Sequence, residues 1–247
     1  MNSQSSARML VPALLLAMAS MAQAQPDFSG AWTNYRGPAN VAGGPPPAAA
    51  QLQLKPEAQA AAAAYRSLID GTNHGPGNSC VGYGMPESIL NAGGGYPMEI
   101  IQRPDQVLIV NELHNELRRV YLPDAARDPA SFFQERNGYS TGRWEGERLI
   151  VETTRLKTQV DTRYPHSHEA TVREEYYFDE PQPDGTRVLA ADIVVEDPLW
   201  LEEPYKVTRR WQALADYHVL SYECTEPKWL DEMEQLYEQA GLEMVQE

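Results

Sequence analysis

Every second residue of the segment from His166 to Phe178 is either apolar or able to move a proton: His166, His168, Ala170, Val172, Glu174, Tyr176 and Phe178. Successive side chains of an extended chain point to opposite sides, so Glu174 is expected to share a face with His166 and Tyr176. The apolar residues of that face predict that it points into the protein. Burial raises the pKa of a carboxyl group toward the range in which it acts as a general acid or base. The segment therefore predicts proton transfer by Glu174, with His166 or a tyrosine as its partner.

A structural role for Glu174 is the alternative. An inward carboxylate is also stabilised by an inward arginine, and Arg119 and Arg143 are the arginines that neighbouring predicted strands offer. Buried ion pairs shift pKa values just as catalytic sites do, so the pattern leaves both roles open.

A second polar cluster is predicted around the segment Gly142–Gly146. Arg143 shares a strand face with Tyr139, so Tyr139 is expected to join the proton transfer and Arg143 to stabilise developing negative charge. An exposed cross-strand pair of Arg143 is the alternative. The residues expected to contact a ligand are Arg119, Trp144, Tyr176 and Phe178.

Other chemistry is less well supported. His166 and His168 have the spacing at which two imidazoles on one strand bind a metal. Glu174 lies about 20 Å further along an extended strand, too far to complete that site, so solvated histidines are favoured and neither a metal nor another cofactor is predicted. Ser140 and Ser167 lack the Gly-x-Ser-x-Gly context of a nucleophilic serine.

The candidate residues lie in or beside short β-rich segments that are separated by turns. Because the strands from Met98 onward follow one another without helical crossovers, a mainly β fold is predicted, an antiparallel up-and-down barrel that leaves no open edge and has room for a small molecule. An N-terminal alanine-rich helix from Pro56 to Gly71 precedes most of the strands and a C-terminal helix, Lys228–Ala240, follows them. The predicted strands are Phe28–Thr33, Met98–Arg103, Gln106–Asn111, Leu117–Leu122, Tyr139–Glu145, Arg148–Thr153, Ala170–Phe178, Thr186–Val195, Tyr205–Leu214 and Tyr217–Cys224.

The first 24 residues predict export. Arg8 provides a basic start, Met9–Met18 is an apolar run too short to span a bilayer, and Ala22-Gln23-Ala24 is a cleavage site. A periplasmic or secreted protein with no further membrane insertion is therefore expected. The predicted organisation is a signal peptide (1–24), an N-terminal strand, Pro/Gly-rich segment, helix and loop (25–97), a barrel (98–227) and a C-terminal helix (228–247), with 25–247 as one domain.

Composition limits the partners. The formal net charge is −15, and removal of the predicted signal takes away only Arg8, which makes it −16. Nucleic acid is excluded as a partner because phosphate binding needs a basic face. Cys80 and Cys224 are the two cysteines, and in an oxidising compartment they are predicted to pair, with two buried thiols as the alternative.

Two sets of motifs resemble known proteins. Gly30-Ala31-Trp32 resembles the Gly-x-Trp first strand of lipocalin-like (calycin-type) barrels. That resemblance implies a tryptophan that closes one barrel end under a late-strand arginine, Arg209 or Arg210. A second set is similar to landmarks of a large, mostly uncharacterised family of exported bacterial proteins: Gly84-Met85-Pro86, Arg118-Arg119-Val120-Tyr121, Ser140 to Gly146, Leu149 to Thr153, Pro165-His166-Ser167 and Glu196-Asp197-Pro198.

The chain departs from that family's pattern at two places. Tyr139 stands where relatives carry histidine, and Asp128-Pro129 stands where they carry His-Pro. A mechanism built on those histidines therefore does not transfer unchanged.

Two functions follow from the sequence. The first is an exported, cofactor-independent enzyme performing acid–base chemistry of the lyase, isomerase, cyclase or hydratase type on a small hydrophobic or aromatic molecule inside the barrel, with Glu174, His166, Tyr139 and Arg143 as catalytic residues. The second is a periplasmic carrier in which the same residues orient a ligand without reacting with it. The lack of cofactor motifs slightly favours the enzyme, and no oligomeric state is predicted.

Overall fold

The computed structural model describes residues 25–35, 37, 52–72, 74–91 and 95–241. The predicted signal peptide, most of the Pro/Gly-rich segment, Gly93 and Gly94 and the last six residues lie outside these ranges. Among the described residues, no helix combines the length and apolarity needed to cross a membrane.

Nine strands of the described chain close into a barrel in chain order, with β9 returning to β1, so the predicted mainly β barrel is confirmed. The strands are β1 (Gly30–Asn34), β2 (Met98–Gln102), β3 (Gln106–Asn111), β4 (Glu116–Tyr121), β5 (Tyr139–Glu145), β6 (Arg148–Thr154), β7 (Thr171–Phe178), β8 (Val188–Glu196) and β9 (Tyr205–Leu214). The helices are α1 (Pro56–Ile69), α2 (Glu87–Leu90) and α3 (Thr225–Gln239), with short 3₁₀ turns at Gly77–Ser79, Leu113–Asn115 and Pro129–Ser131.

One strand pair departs from the predicted antiparallel meander. β4 and β5 run parallel through the pairs Val120–Ser140 and Tyr121–Thr141, whereas the other neighbouring pairs are antiparallel. The chain between them, residues 122 to 138, loops out and returns to the level at which β4 ends. Because β5 starts there and continues in the same direction, the pair is parallel.

The predicted strand Tyr217–Cys224 is wrong. This segment is bound by side chains rather than by a strand ladder: the Tyr217 hydroxyl donates to Glu112 (2.7 Å), and the Tyr222 amide donates to Asn115 Oδ1 (2.9 Å). Because β9 pairs with β1, the described barrel has no free edge at that point for a tenth strand.

The disulfide predicted between the two cysteines is confirmed. Cys80 and Cys224 are bonded, with their Cα atoms 5.6 Å apart and 144 positions apart in sequence. The bond joins the irregular segment 74–91 to the start of α3, a helix without a buried residue.

Aromatic side chains close one end of the barrel, here called the closed end. Phe28 packs on Trp144 with ring centroids 5.4 Å apart and edge-on against Phe178 at 5.0 Å. Trp32 is fully buried, and its indole donates to the Phe28 carbonyl (2.9 Å). Such contacts leave that end filled with aromatic rings.

The arginine over Trp32 is Arg187, whose guanidinium lies 5.5 Å from the ring centre. The stacking expected for Arg209 or Arg210 is therefore wrong. In the register of β9, Ala213 rather than either arginine stands opposite Trp32. Arg210 instead lies on the outer surface and donates to Asp179 (2.6 Å).

Candidate functional site

A groove of about 610 Å³ lies at the opposite end of the barrel, here called the helix end because α1 packs there. Tyr65 on α1 stands on one side of it, residues 160–165 of the β6–β7 connection form another part of the wall, and Tyr83 and Glu87 also line it. The volume falls within the range of roughly 300–1,000 Å³ that is typical of small-molecule sites.

Helix α1 is fixed to the barrel by the residues before it. Leu54 forms a bridge with Leu201, and Lys55 donates its backbone amide to the Trp200 carbonyl (2.8 Å) and its Nζ to the Pro198 carbonyl (2.7 Å). Pro56 then begins the helix, where its missing N–H costs nothing. One wall of the groove is thus anchored at the β8–β9 connection.

The opposite wall is a loop whose two ends are tied together. Gln159 and His166 exchange two backbone hydrogen bonds of 3.0 Å each. The next residue, Ser167, donates its amide (2.6 Å) and its hydroxyl (2.7 Å) to Asp197, which also accepts from the amides of Leu199 and Trp200. Two motifs distant in sequence, Pro165-His166-Ser167 and Glu196-Asp197-Pro198, therefore meet at the helix end.

Glu87 is the most unusual group in the groove wall. Its carboxylate is almost fully buried, with 1% of the residue exposed. Oε2 accepts from the Thr162 hydroxyl (2.5 Å) and the Arg163 amide (2.9 Å). Oε1 has no hydrogen-bond partner among the described residues, and Arg163 Nε lies 3.7 Å away. An unbonded buried oxygen is unfavourable, so a donor that reaches Oε1 gains a hydrogen bond that the protein itself does not supply.

The predicted face His166–Phe178 is only partly correct. Val172, Glu174 and Tyr176 point inward from β7 as expected. His166 and His168 are not on that face, because the chain turns between Ser167 and Ala170 and the strand starts only at Thr171. The buried His166 belongs to the base of the groove loop, while His168 is exposed beside Glu169.

His166 is held neutral by its surroundings. Burial lowers its pKa, against the raising effects of the Ser167 and Met85 backbone and of the nearby Asp197 and Asp161 charges. Nδ1 lies 3.1 Å from the Ser167 carbonyl, and Nε2 has no hydrogen-bond partner in the described chain.

A pH experiment tests this neutral state. As the pH falls below about 6.5, the unfolded chain takes up a proton at His166 that the folded chain does not, so folding loses stability. We expect the free energy of unfolding of the native protein to fall more between pH 7.5 and pH 5 than that of His166→Gln, measured by chemical denaturation. The matched control, His168→Gln at an exposed position, should follow the native curve. A native curve parallel to that of His166→Gln would contradict the prediction.

Glu174 lies fully buried in the barrel and forms an ion pair with Arg118. The two guanidinium nitrogens donate to the two carboxylate oxygens at 2.6 and 2.9 Å, and the Tyr176 hydroxyl donates at 2.5 Å. The partner is thus neither Arg119 nor Arg143, the two arginines that the sequence offered. Alternation in β4 turns Arg118 inward and leaves Arg119 exposed.

The network extends across neighbouring strands. Arg118 also donates to the hydroxyls of Ser140 (3.1 Å) and Thr153 (2.7 Å), which are themselves 2.8 Å apart. Burial and the Glu174 charge raise the pKa of Tyr176 well above its usual range, so its phenol stays protonated at neutral pH and donates a hydrogen bond to Glu174. Burial opposes the charge on Arg118, but Glu174 raises its pKa, and the guanidinium stays charged.

Tyr139 and Arg143 lie on the outer face of β5 and do not approach Glu174. The Tyr139 hydroxyl accepts from the Arg127 amide (2.7 Å) and donates to its carbonyl (3.1 Å), next to Asp128-Pro129. Arg143 is exposed and forms hydrogen bonds with Glu145 on its own strand and with Glu152 on β6. This is the exposed cross-strand pair that the sequence left open as the alternative. The inward positions of β5 are Ser140, Gly142 and Trp144, and a Cβ at Gly142 would lie 2.7 Å from Val120.

The four residues expected to contact a ligand do not form one pocket. Trp144 and Phe178 belong to the closed end, and Tyr176 belongs to the Arg118–Glu174 network. Arg119 is on the outer wall, 5.9 Å from the ring of Tyr121.

Sequence reasoning did not assign Tyr205 a role, and it expected Arg209, if inward, over Trp32 rather than beside Tyr205. Both share the face of buried Trp211 by alternation, and that signal was present in the sequence. Tyr205 also touches the groove wall through Tyr164, with ring centroids 6.2 Å apart.

Comparisons with known protein families, with curated proteins and with solved structures find no match to this chain.

Proposed function

We propose that the protein binds a small molecule with an aromatic or apolar body in the helix-end groove, as a carrier. The single observation that carries the proposal is the buried Glu87 carboxylate, which presents an unbonded oxygen in the wall of a groove of about 610 Å³. Tyr65, Tyr83 and Tyr164 add aromatic surface to the same wall. A mainly apolar lining with a few placed polar groups is the usual composition of a ligand site.

Catalysis at Glu174 is less well supported than binding. Both oxygens of that carboxylate already accept hydrogen bonds from Arg118 or Tyr176 inside the barrel. Proton transfer to a substrate requires Arg118 to release an oxygen, whereas Oε1 of Glu87 in the groove wall has no hydrogen bond to release. Turnover of a bound compound that Glu174→Gln abolishes, with fold and binding retained, would reverse this preference.

The proposal also covers structural class and location. A closed barrel with Arg187 over Trp32 supports a lipocalin-like assignment, from which the parallel pair of β4 and β5 is a departure. The disulfide between Cys80 and Cys224 and the predicted signal peptide support a periplasmic or secreted carrier.

The groove is tested with N-phenyl-1-naphthylamine, a neutral probe whose fluorescence rises in apolar surroundings. We expect saturable one-to-one binding to the full chain. Tyr65→Ala should raise the Kd about fivefold or more, since buried aromatic contacts contribute of order 1 kcal/mol. Tyr177→Ala, on the outer face of β7, is the matched control and should leave the Kd unchanged.

A second variant tests the Glu87 oxygen. Glu87→Gln keeps one acceptor for Thr162 and Arg163 and replaces the other oxygen with a donating amide. The probe, whose amine is a donor, should bind more weakly to this variant. Fluorescence that does not saturate, or equal losses in Tyr65→Ala and Tyr177→Ala, would reject the groove as the site.

A further inference from the structure

Arg209 is an inward-facing cation without a partner in the described chain. It takes an inner position of β9, beside Ala191 of β8 and two residues before buried Trp211. Its Nε is buried and makes no hydrogen bond, while the residue as a whole is only partly buried. No acidic side chain of the described residues forms an ion pair with it, in contrast to the fully paired Arg118.

Tyr205 presents a second unbonded group on the same face. The residue is 6% exposed, and its hydroxyl is buried without a hydrogen-bond partner among the described residues. Burial raises the pKa of this phenol and the Arg209 charge opposes that rise, so the hydroxyl lies within the field of the guanidinium. Two unbonded donors on one stretch of inner wall are unfavourable for the empty protein.

The neighbouring strand leaves this stretch of wall open. β1 pairs with β9 only from Trp211 to Leu214, and the next hydrogen bond joins the Tyr35 amide to the Arg210 carbonyl. Within the described chain, β1 therefore does not cover the part of β9 from Tyr205 to Arg209. The partial exposure of the inward residue Val207 agrees with access from solvent at this point.

We infer that Arg209 and Tyr205 form a second binding site, separate from the groove, for a small aromatic carboxylate. A guanidinium fork matches the two oxygens of a carboxylate, and a phenol adds a third donor. Val207, the partly exposed residue between Tyr205 and Arg209 on the same face, provides apolar surface for the ring of such a molecule.

The test compares benzoate with benzamide, its neutral counterpart of the same shape, by calorimetric titration of the full chain at low ionic strength. We expect benzoate to bind at least fivefold more tightly than benzamide. Arg209→Gln should abolish that preference, and Tyr205→Phe should weaken benzoate alone. Arg103→Gln removes the same charge from an exposed position at the turn after β2 and should keep the preference.

Stability provides a second readout. Because the Arg209 charge is unpaired, Arg209→Gln should unfold at a denaturant concentration equal to or higher than that of the native protein. Equal affinities for the two probes, a preference that survives in Arg209→Gln, or clear destabilisation of that variant would overturn the inference. Binding of N-phenyl-1-naphthylamine should be unaffected in Arg209→Gln, so the groove and this site fail or succeed independently.

Discussion

Arg118→Met should lower the free energy of unfolding by about 3 to 5 kcal/mol, the loss typical of a buried ion pair from which one partner is removed. The substitution leaves the fully buried Glu174 carboxylate with the Tyr176 hydrogen bond but without a counter-charge. It also removes the donor that Ser140 and Thr153 share. Guanidinium denaturation followed by circular dichroism measures the change.

Arg143→Met is the matched control for this prediction. That arginine bonds Glu145 and Glu152 on the outer surface, with about half of each side chain exposed, so its loss should cost less than about 1 kcal/mol. The double variant Arg118→Met with Glu174→Leu removes both buried charges and should be more stable than Arg118→Met alone. Similar losses of stability in Arg118→Met and Arg143→Met would show that the buried ion pair contributes no more than a surface pair. A double variant less stable than Arg118→Met would contradict the assignment of the loss to an unpaired Glu174 charge.

The inward position of Glu174 was readable from the sequence, but its partner was not. In β4 the apolar residue Leu117 suits the inner face and would turn Arg118 outward. Val120 shares a face with Arg118 and favours the opposite arrangement, so alternation alone does not decide. In the structure Leu117 is 49% exposed, while Glu116 and Arg118 are buried. Each buried charge is satisfied by a distant group: Glu116 accepts from the Gly84 amide (2.8 Å), and Arg118 binds Glu174. Two buried charges on one strand hide its hydrophobic alternation, because their partners are set by tertiary structure.

The groove could also be predicted only in part, because contacts between residues distant in sequence position its wall. Alternation predicted the barrel wall, and α1 was predicted from its proline start and alanine content. The loop from Gln159 to His166 depends on the capture of Ser167 by Asp197, which is 30 positions away. The Glu87 carboxylate is held by a hydrogen bond from the Thr162 hydroxyl, and these two residues are 75 positions apart in sequence. Periodicity reports which face of an element is buried, but it carries no information about such distant pairs.

Replacing both cysteines, in Cys80→Ser with Cys224→Ser, should lower the free energy of unfolding by about 3 to 5 kcal/mol. The bond closes a loop that spans 144 positions and includes most of the barrel, so its removal releases much entropy in the unfolded chain. Both ends are docked without it: the segment around Cys80 through the Tyr83 carbonyl, which accepts from Gln159, and the segment before Cys224 through Tyr222 and Asn115. Thermal or guanidinium unfolding measures the loss.

A further variant distinguishes the stability contributed by the disulfide from any stability contributed by the packing of α3. Because α3 buries no residue, Trp229→Ala, which truncates a side chain that is 55% exposed, should change stability by less than about 1 kcal/mol. Treatment with dithiothreitol should destabilise the native protein as much as the double replacement does and leave the double variant unchanged. A large effect of Trp229→Ala together with a small effect of reduction would place the stabilisation in the helix rather than in the closed loop.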